Sequence, residues 1–166
     1  MKKSVVDLSD LQEIAPFFKT KFGIFLGKKI IKWLGIKKVN DIHAKHCHLR
    51  GADFTTALLQ DPLMDIKYNV HNAELLDTLP EGAFITISNH PFGHIDGIML
   101  IDIFAARRSD FAVMVNGVLT KIGAMEDNFI SVQPDSKNRG ANVANVNGVR
   151  TSLERLKSGH PMGFFP

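Results

Sequence analysis

From residue 83 onward, short β-branched runs alternate with stretches of helical periodicity, and few folds accommodate that order. AFITIS (83–88), FAVMVNG (111–117) and NFISVQP (128–134) are brief, apolar and bounded by turn residues, as buried strands are. GIMLIDIFAARR (97–108) is apolar almost all round and reads as a buried helix. Upstream, DFTTALLQ (53–60) reads as a helix stopped by Asp61-Pro62, and the alternation in DIKYNVH (65–71) predicts another strand. The polar loop DSKNRGAN (135–142) precedes a helix whose stripe is Val146, Val149, Leu153 and Leu156, with Gly159 placed to end it. The pattern predicts an α/β domain with a mixed, largely parallel sheet flanked by helices. GFFP (163–166) opens one more strand at the last residues, so the chain is expected to be truncated at its C-terminus.

Charge divides the chain. Residues 1–50 hold 11 Lys/Arg against 4 Asp/Glu, whereas 51–166 hold 9 against 13, so the basic character belongs to one end. We therefore expect a basic helical segment over 1–50 and the α/β domain over 51–166. Within the first, Phe18, Phe22, Phe25, Leu26, Ile30, Trp33 and Leu34 recur at helical spacing while Lys21, Lys28 and Lys32 share another side. Such a helix suits either an anionic membrane surface or the protein's own core. No run reaches the roughly 18 to 20 apolar residues of a membrane span. A lone cysteine, Cys47, and a charged N-terminus predict a cytoplasmic setting, and no nucleic-acid partner is expected.

The chemistry concentrates in ITISNHPFGHIDGIML (85–100). Pro91 keeps His90 out of helical conformation, on the loop at a strand's carboxyl end, where open α/β sheets bind ligands. Gly93 and Gly97 permit sharp turns or close approach, and Asp96 falls where the next helix begins. His90 as general base with Asp96 fixing its tautomer would activate a substrate's own hydroxyl or amine. The alternatives are a capped turn, or a metal site made of His90, His94 and Asp96. A second set, His43, His46, Cys47 and His48, also has ligand chemistry, although polar surface is the expected fate of HAKHCH.

ISNHPFGHIDG resembles the first motif of the glycerolipid (lysophospholipid) acyltransferase superfamily, an Asn-His followed by a spacer and Asp. The five-residue spacer, Pro91 to Ile95, is closer to a hemolysin-like branch linked to amino-acid-containing lipids. EDNFISVQP resembles the second motif and LKSGHPMGFFP the approach to the third. The resemblance implies that His90 and Asp96 are catalytic and that Asn89, Gly93, Phe129 and Ile130 bind substrate. It further implies an acyl thioester donor on acyl carrier protein or coenzyme A, a lysolipid acceptor, no bound cofactor or metal, and a peripheral place on the inner face of the membrane. Phosphate-acceptor members usually carry an arginine two residues after Phe-Ile. Val132 stands there in this chain, which favours a lyso-amino-lipid, and Arg139 is the nearest substitute. If the chain is truncated, its activity is expected to be weak. A metal-dependent hydrolase and a non-catalytic lipid-binding module remain as alternatives.

Overall fold

The computed structural model describes residues 5, 7–33, 36–132 and 139–165. Helices α1 (Leu8–Ile14), α2 (Lys21–Trp33), α3 (Ile36–His46) and α4 (Gly51–Gln60) precede the sheet. Strand β1 (Ile85–Ile87) leads to α5 (His94–Ala105), then β2 (Ala112–Asn116) and β3 (Phe129–Val132). Helix α6 (Arg139–Lys157) and β4 (Met162–Phe164) close the described chain. The strands lie in the order β1-β4-β2-β3, and every pair is parallel. The sheet is thus α/β as expected, and wholly parallel among the described residues. Helix α5 carries the chain from β1 to β2 and α6 from β3 to β4, which enters between β1 and β2, while two short 3-10 turns (Gly117–Lys121 and Gly123–Asn128) link the neighbours β2 and β3.

The last strand is central. Met162 is in register with both Ile85 and Ala112, so β4 joins β1 to the rest of the sheet. Gly163 makes this seam possible: a Cβ there would lie 2.8 Å from Leu100, 2.9 Å from Phe111 and 3.1 Å from the Thr86 hydroxyl. Between sheet and helices sits a core of Phe54, Leu100, Ile101, Phe111, Val113 and Met125. Phe111 stacks on Phe104 at 5.1 Å and on Phe84 at 6.3 Å, which fixes α5 over β2.

Several local expectations are corrected. DIKYNVH forms no strand: the Ile66 N–H donates to Leu59 O, and the Tyr68 hydroxyl is tied to Asp102 on α5. Burial, then the Asp102 bond, pushes the Tyr68 hydroxyl pKa up, so it remains a donor to that carboxylate. Thr55 and Thr56 of α4 donate to the same Asp102, which explains how an acid is tolerated on an otherwise apolar helix. The α6 stripe faces the other way from expectation. Val146, Val149 and Leu153 are exposed and only Leu156 is half-buried, while the helix lays Gly148 and Ser152 inward, with a Gly148 Cβ only 2.6 Å from Ser131 O. HAKHCH is polar surface only in part: Ala44, Lys45 and His48 are exposed, but two histidines turn inward. His43 is buried edge-on to Phe54, and His46 Nε2 lies 2.8 Å from Asp61 Oδ2. Lys45 also bonds Asp61, and with the Leu63 amide and His46 it holds that buried carboxyl well below the usual range. This clamp ties α3 to the end of α4.

At the amino ends of the strands, Arg108 is a hub. Its guanidinium donates to Asp110 and to the carbonyls of Gly82 and Gly159, joining the approaches to β1, β2 and β4. Gly159 ends α6 as expected, with φ +88°. The Arg108 bond, helped by His160, holds Asp110 down at about 2 against the opposing effect of burial. A carboxyl depressed on folding contributes stability that is present above its unfolded pKa and lost as pH falls through the folded one. The unfolding free energies of the native chain and Asp110→Asn should therefore differ at about pH 6 and converge towards about pH 2, as followed by urea titration across pH.

Candidate active site

Strand β1 ends at Ile87, and the chain turns through Ser88 to Gly93 before α5 starts at His94. Gly93 is the N-cap residue, with φ +62°, where an L side chain is strained. Asp96 is therefore not the N-cap, as sequence suggested, but lies inside the first turn and reaches backward. Its Oδ2 accepts the N–H of Phe92, the residue before the N-cap, at 2.8 Å. The same oxygen stands 3.3 Å from His90 Nδ1. One carboxylate oxygen thus meets both the loop backbone and the His90 ring.

His90 and Asp96 differ in exposure: the Asp96 side chain is 13% accessible and that of His90 42%. The carboxylate is sheltered while the imidazole reaches outward. The ring of Phe165, just after β4, covers one face of His90 with centroids 4.3 Å apart and planes tilted 31°. Beside the pair opens a cavity of about 400 Å³. Its walls are largely apolar: Ile98 from α5, Met114 and Val115 from β2, Phe129 and Val132 from β3, with Leu119, Ile122 and Met125 from the turns between them. His90, His94 and Asn116 are its polar lining.

The other predicted residues fall out as follows. Phe129 lines the cavity and Ile130 does not. Asn89 is exposed on the loop. Gly97 is under no steric demand, since its nearest neighbour beyond the helix would be Phe165 at 3.9 Å from an added Cβ. The backbone of Arg139 begins α6. Among the described residues, no three His, Cys, Asp or Glu side chains are arranged to share a metal ion, for either proposed ligand set. Sequence reasoning missed Phe165 and the turn residues Leu119, Ile122 and Met125. Their signal was only apolar character.

A base with its carboxylate at the mouth of an apolar cavity suits reactions that deprotonate a nucleophile beside a lipid-like chain. An acyltransferase family model matches residues 11–165, and the chain belongs to this acyltransferase family. No curated protein and no solved structure matches it. The turn that presents the pair generates a direct expectation. Gly93→Ala should lose about 1–2 kcal/mol of stability for adopting positive φ and most of its acyl transfer. Gly82→Ala, where a Cβ meets open space, should leave both unchanged in thermal melts and transfer assays.

Proposed function

We propose that the protein moves a fatty acyl group from an acyl thioester to the hydroxyl of a lysolipid at a membrane surface. The observation that carries this reading is the His90–Asp96 pair, 3.3 Å apart, at the edge of the apolar cavity. With its proton held on Nδ1 towards Asp96, His90 offers Nε2 to the acceptor hydroxyl. The hydroxyl oxygen attacks the thioester carbonyl as Nε2 takes its proton. The tetrahedral intermediate then collapses, the C–S bond breaks, and the imidazolium returns the proton to the departing thiolate. Asp96, only slightly exposed, steadies the charge that His90 carries in between. The acyl chain occupies the cavity. The thioester is carried by acyl carrier protein or coenzyme A, and the step requires no metal or bound cofactor.

Acceptor choice follows from the second motif. Ser131 and Val132 follow Phe129-Ile130, and Val132 adds apolar surface to the cavity where a guanidinium would be needed to grip a phosphate. This supports a lyso-amino-lipid of the kind linked to the hemolysin-like branch over glycerol phosphate.

The N-terminal helices support the membrane. Helix α2 is packed inside out: its buried residues are Gly23 and Gly27, whereas Phe22, Phe25 and Trp33 are exposed, Trp33 by 85%. A Cβ on Gly23 would lie 2.0 Å from Phe17 O, so the helix can approach its neighbours only through glycine. Lys21, Lys28, Lys29 and Lys32 are on the same helix. Exposed aromatics among lysines add apolar insertion to attraction for anionic headgroups. No helix among the described residues is long and apolar enough to cross a membrane, so we propose peripheral attachment, on the inner face where acyl thioesters are available.

Two sets of variants test this. His90→Ala should reduce transfer from a radiolabelled acyl thioester to lysolipid by about 10²- to 10⁴-fold, Asp96→Asn should lose a large part of that, and His94→Ala should remain active. Undiminished transfer by His90→Ala contradicts the base assignment, and zinc retained by the native chain but lost on His94→Ala would favour a metal-dependent hydrolase. Replacing Phe22, Phe25 and Trp33 together by serine should weaken co-sedimentation with anionic vesicles more than tenfold, on the order of the apolar area withdrawn. Raising salt should weaken the native chain's binding too.

A further inference from the structure

The base has a second support that the acid–base pair does not explain. Among the described residues, the half-exposed His90 side chain meets, besides the 3.3 Å approach to Asp96, the phenyl ring of Phe165 laid over its face at 4.3 Å. We propose that Phe165 is the positioning residue for His90, holding the imidazole in the plane that keeps Nδ1 on Asp96 and turns Nε2 to the cavity. This rests on the acyl-transfer reading of the site.

The geometry suits the task in two ways. A histidine on a loop, with a single 3.3 Å contact to a carboxylate, can swing about its side-chain torsions, and a ring laid across its face removes that freedom. The face of a phenyl ring also attracts a cation within about 6 Å, so the stack is stronger when His90 has become imidazolium than before. An interaction that grows as the reaction proceeds lowers the barrier rather than merely aiding binding. Phe165 is well placed for this, because it follows the central strand β4 directly. Met162 and Phe164 of that strand are in register with Ile85 and Ile87 of β1, the strand that leads to His90. The position of the base is thereby tied to the seam of the sheet.

Phe165→Leu keeps apolar bulk and removes the aromatic face, whereas Phe165→Tyr keeps both. Both variants are compared with the native chain by carbon-edited NMR of the histidine ring protons, with His90 assigned by its loss in His90→Gln, and by steady-state transfer. The proposal expects the His90 ring protons to be shifted by the ring current of the stacked phenyl in the native chain and in Phe165→Tyr. In Phe165→Leu that shift should vanish, with kcat down about fivefold to tenfold and KM within about twofold, as expected for loss of a cation–π contact. His90 resonances unchanged in Phe165→Leu, or a native kcat for that variant, would overturn it. If the native chain transfers no acyl group, the function reading fails, and the NMR comparison still decides the stack.

Discussion

One carboxylate oxygen organises the site. Asp96 Oδ2 accepts the Phe92 amide and at the same distance scale meets His90 Nδ1, so the loop conformation and the orientation of the base have a common origin. That double use depends on Gly93, whose positive φ folds the chain so that a residue in the first turn of α5 can reach back over the loop. The pair lies at the carboxyl end of a parallel strand, where α/β sheets expose their ligands. The apolar cavity beside it is where the proposed function places the acyl chain.

The α/β class and β1 to β4 were legible because short β-branched runs bounded by turns leave little alternative. DIKYNVH failed since its alternation reflects tethering: Tyr68 is bound to Asp102, with which two α4 threonines also pair. Single-sequence periodicity cannot distinguish an alternation that pairs with a strand from one that pins a coil. The α6 stripe failed for a different reason. Glycine and serine let that helix approach the sheet closely at Gly148 and Ser152, and backbone proximity there outweighed the burial available from Val146, Val149 and Leu153. Of the site, the closeness of His90 and Asp96 was legible, because a strand, a proline-held loop and a helix start bring them together. The carrying wall residues were not, because an apolar residue lining a cavity looks in sequence like one in the core.

The same small-in, large-out logic governs α2, and there it has a functional reading. A helix that turns glycines to its neighbours and aromatics to solvent forgoes the hydrophobic stabilisation that usually orders a helix. The lost burial is recovered if the exposed face meets lipid, and the basic charge concentrated in the first 50 residues would favour anionic headgroups. On the proposed function, the site and this helix serve one activity, with substrate drawn from the surface that the helix would meet.

The central claim is direct transfer to a hydroxyl deprotonated by His90, with no acyl group resting on the protein. The most direct measurement follows a radiolabelled acyl thioester mixed with the native chain, with and without lysolipid, by rapid quench and separation of protein from lipid. The account predicts label passing into lipid only when acceptor is present, one thiol released per acyl moved, and none on the protein at any time. Label accumulating on the protein before it reaches lipid would contradict it.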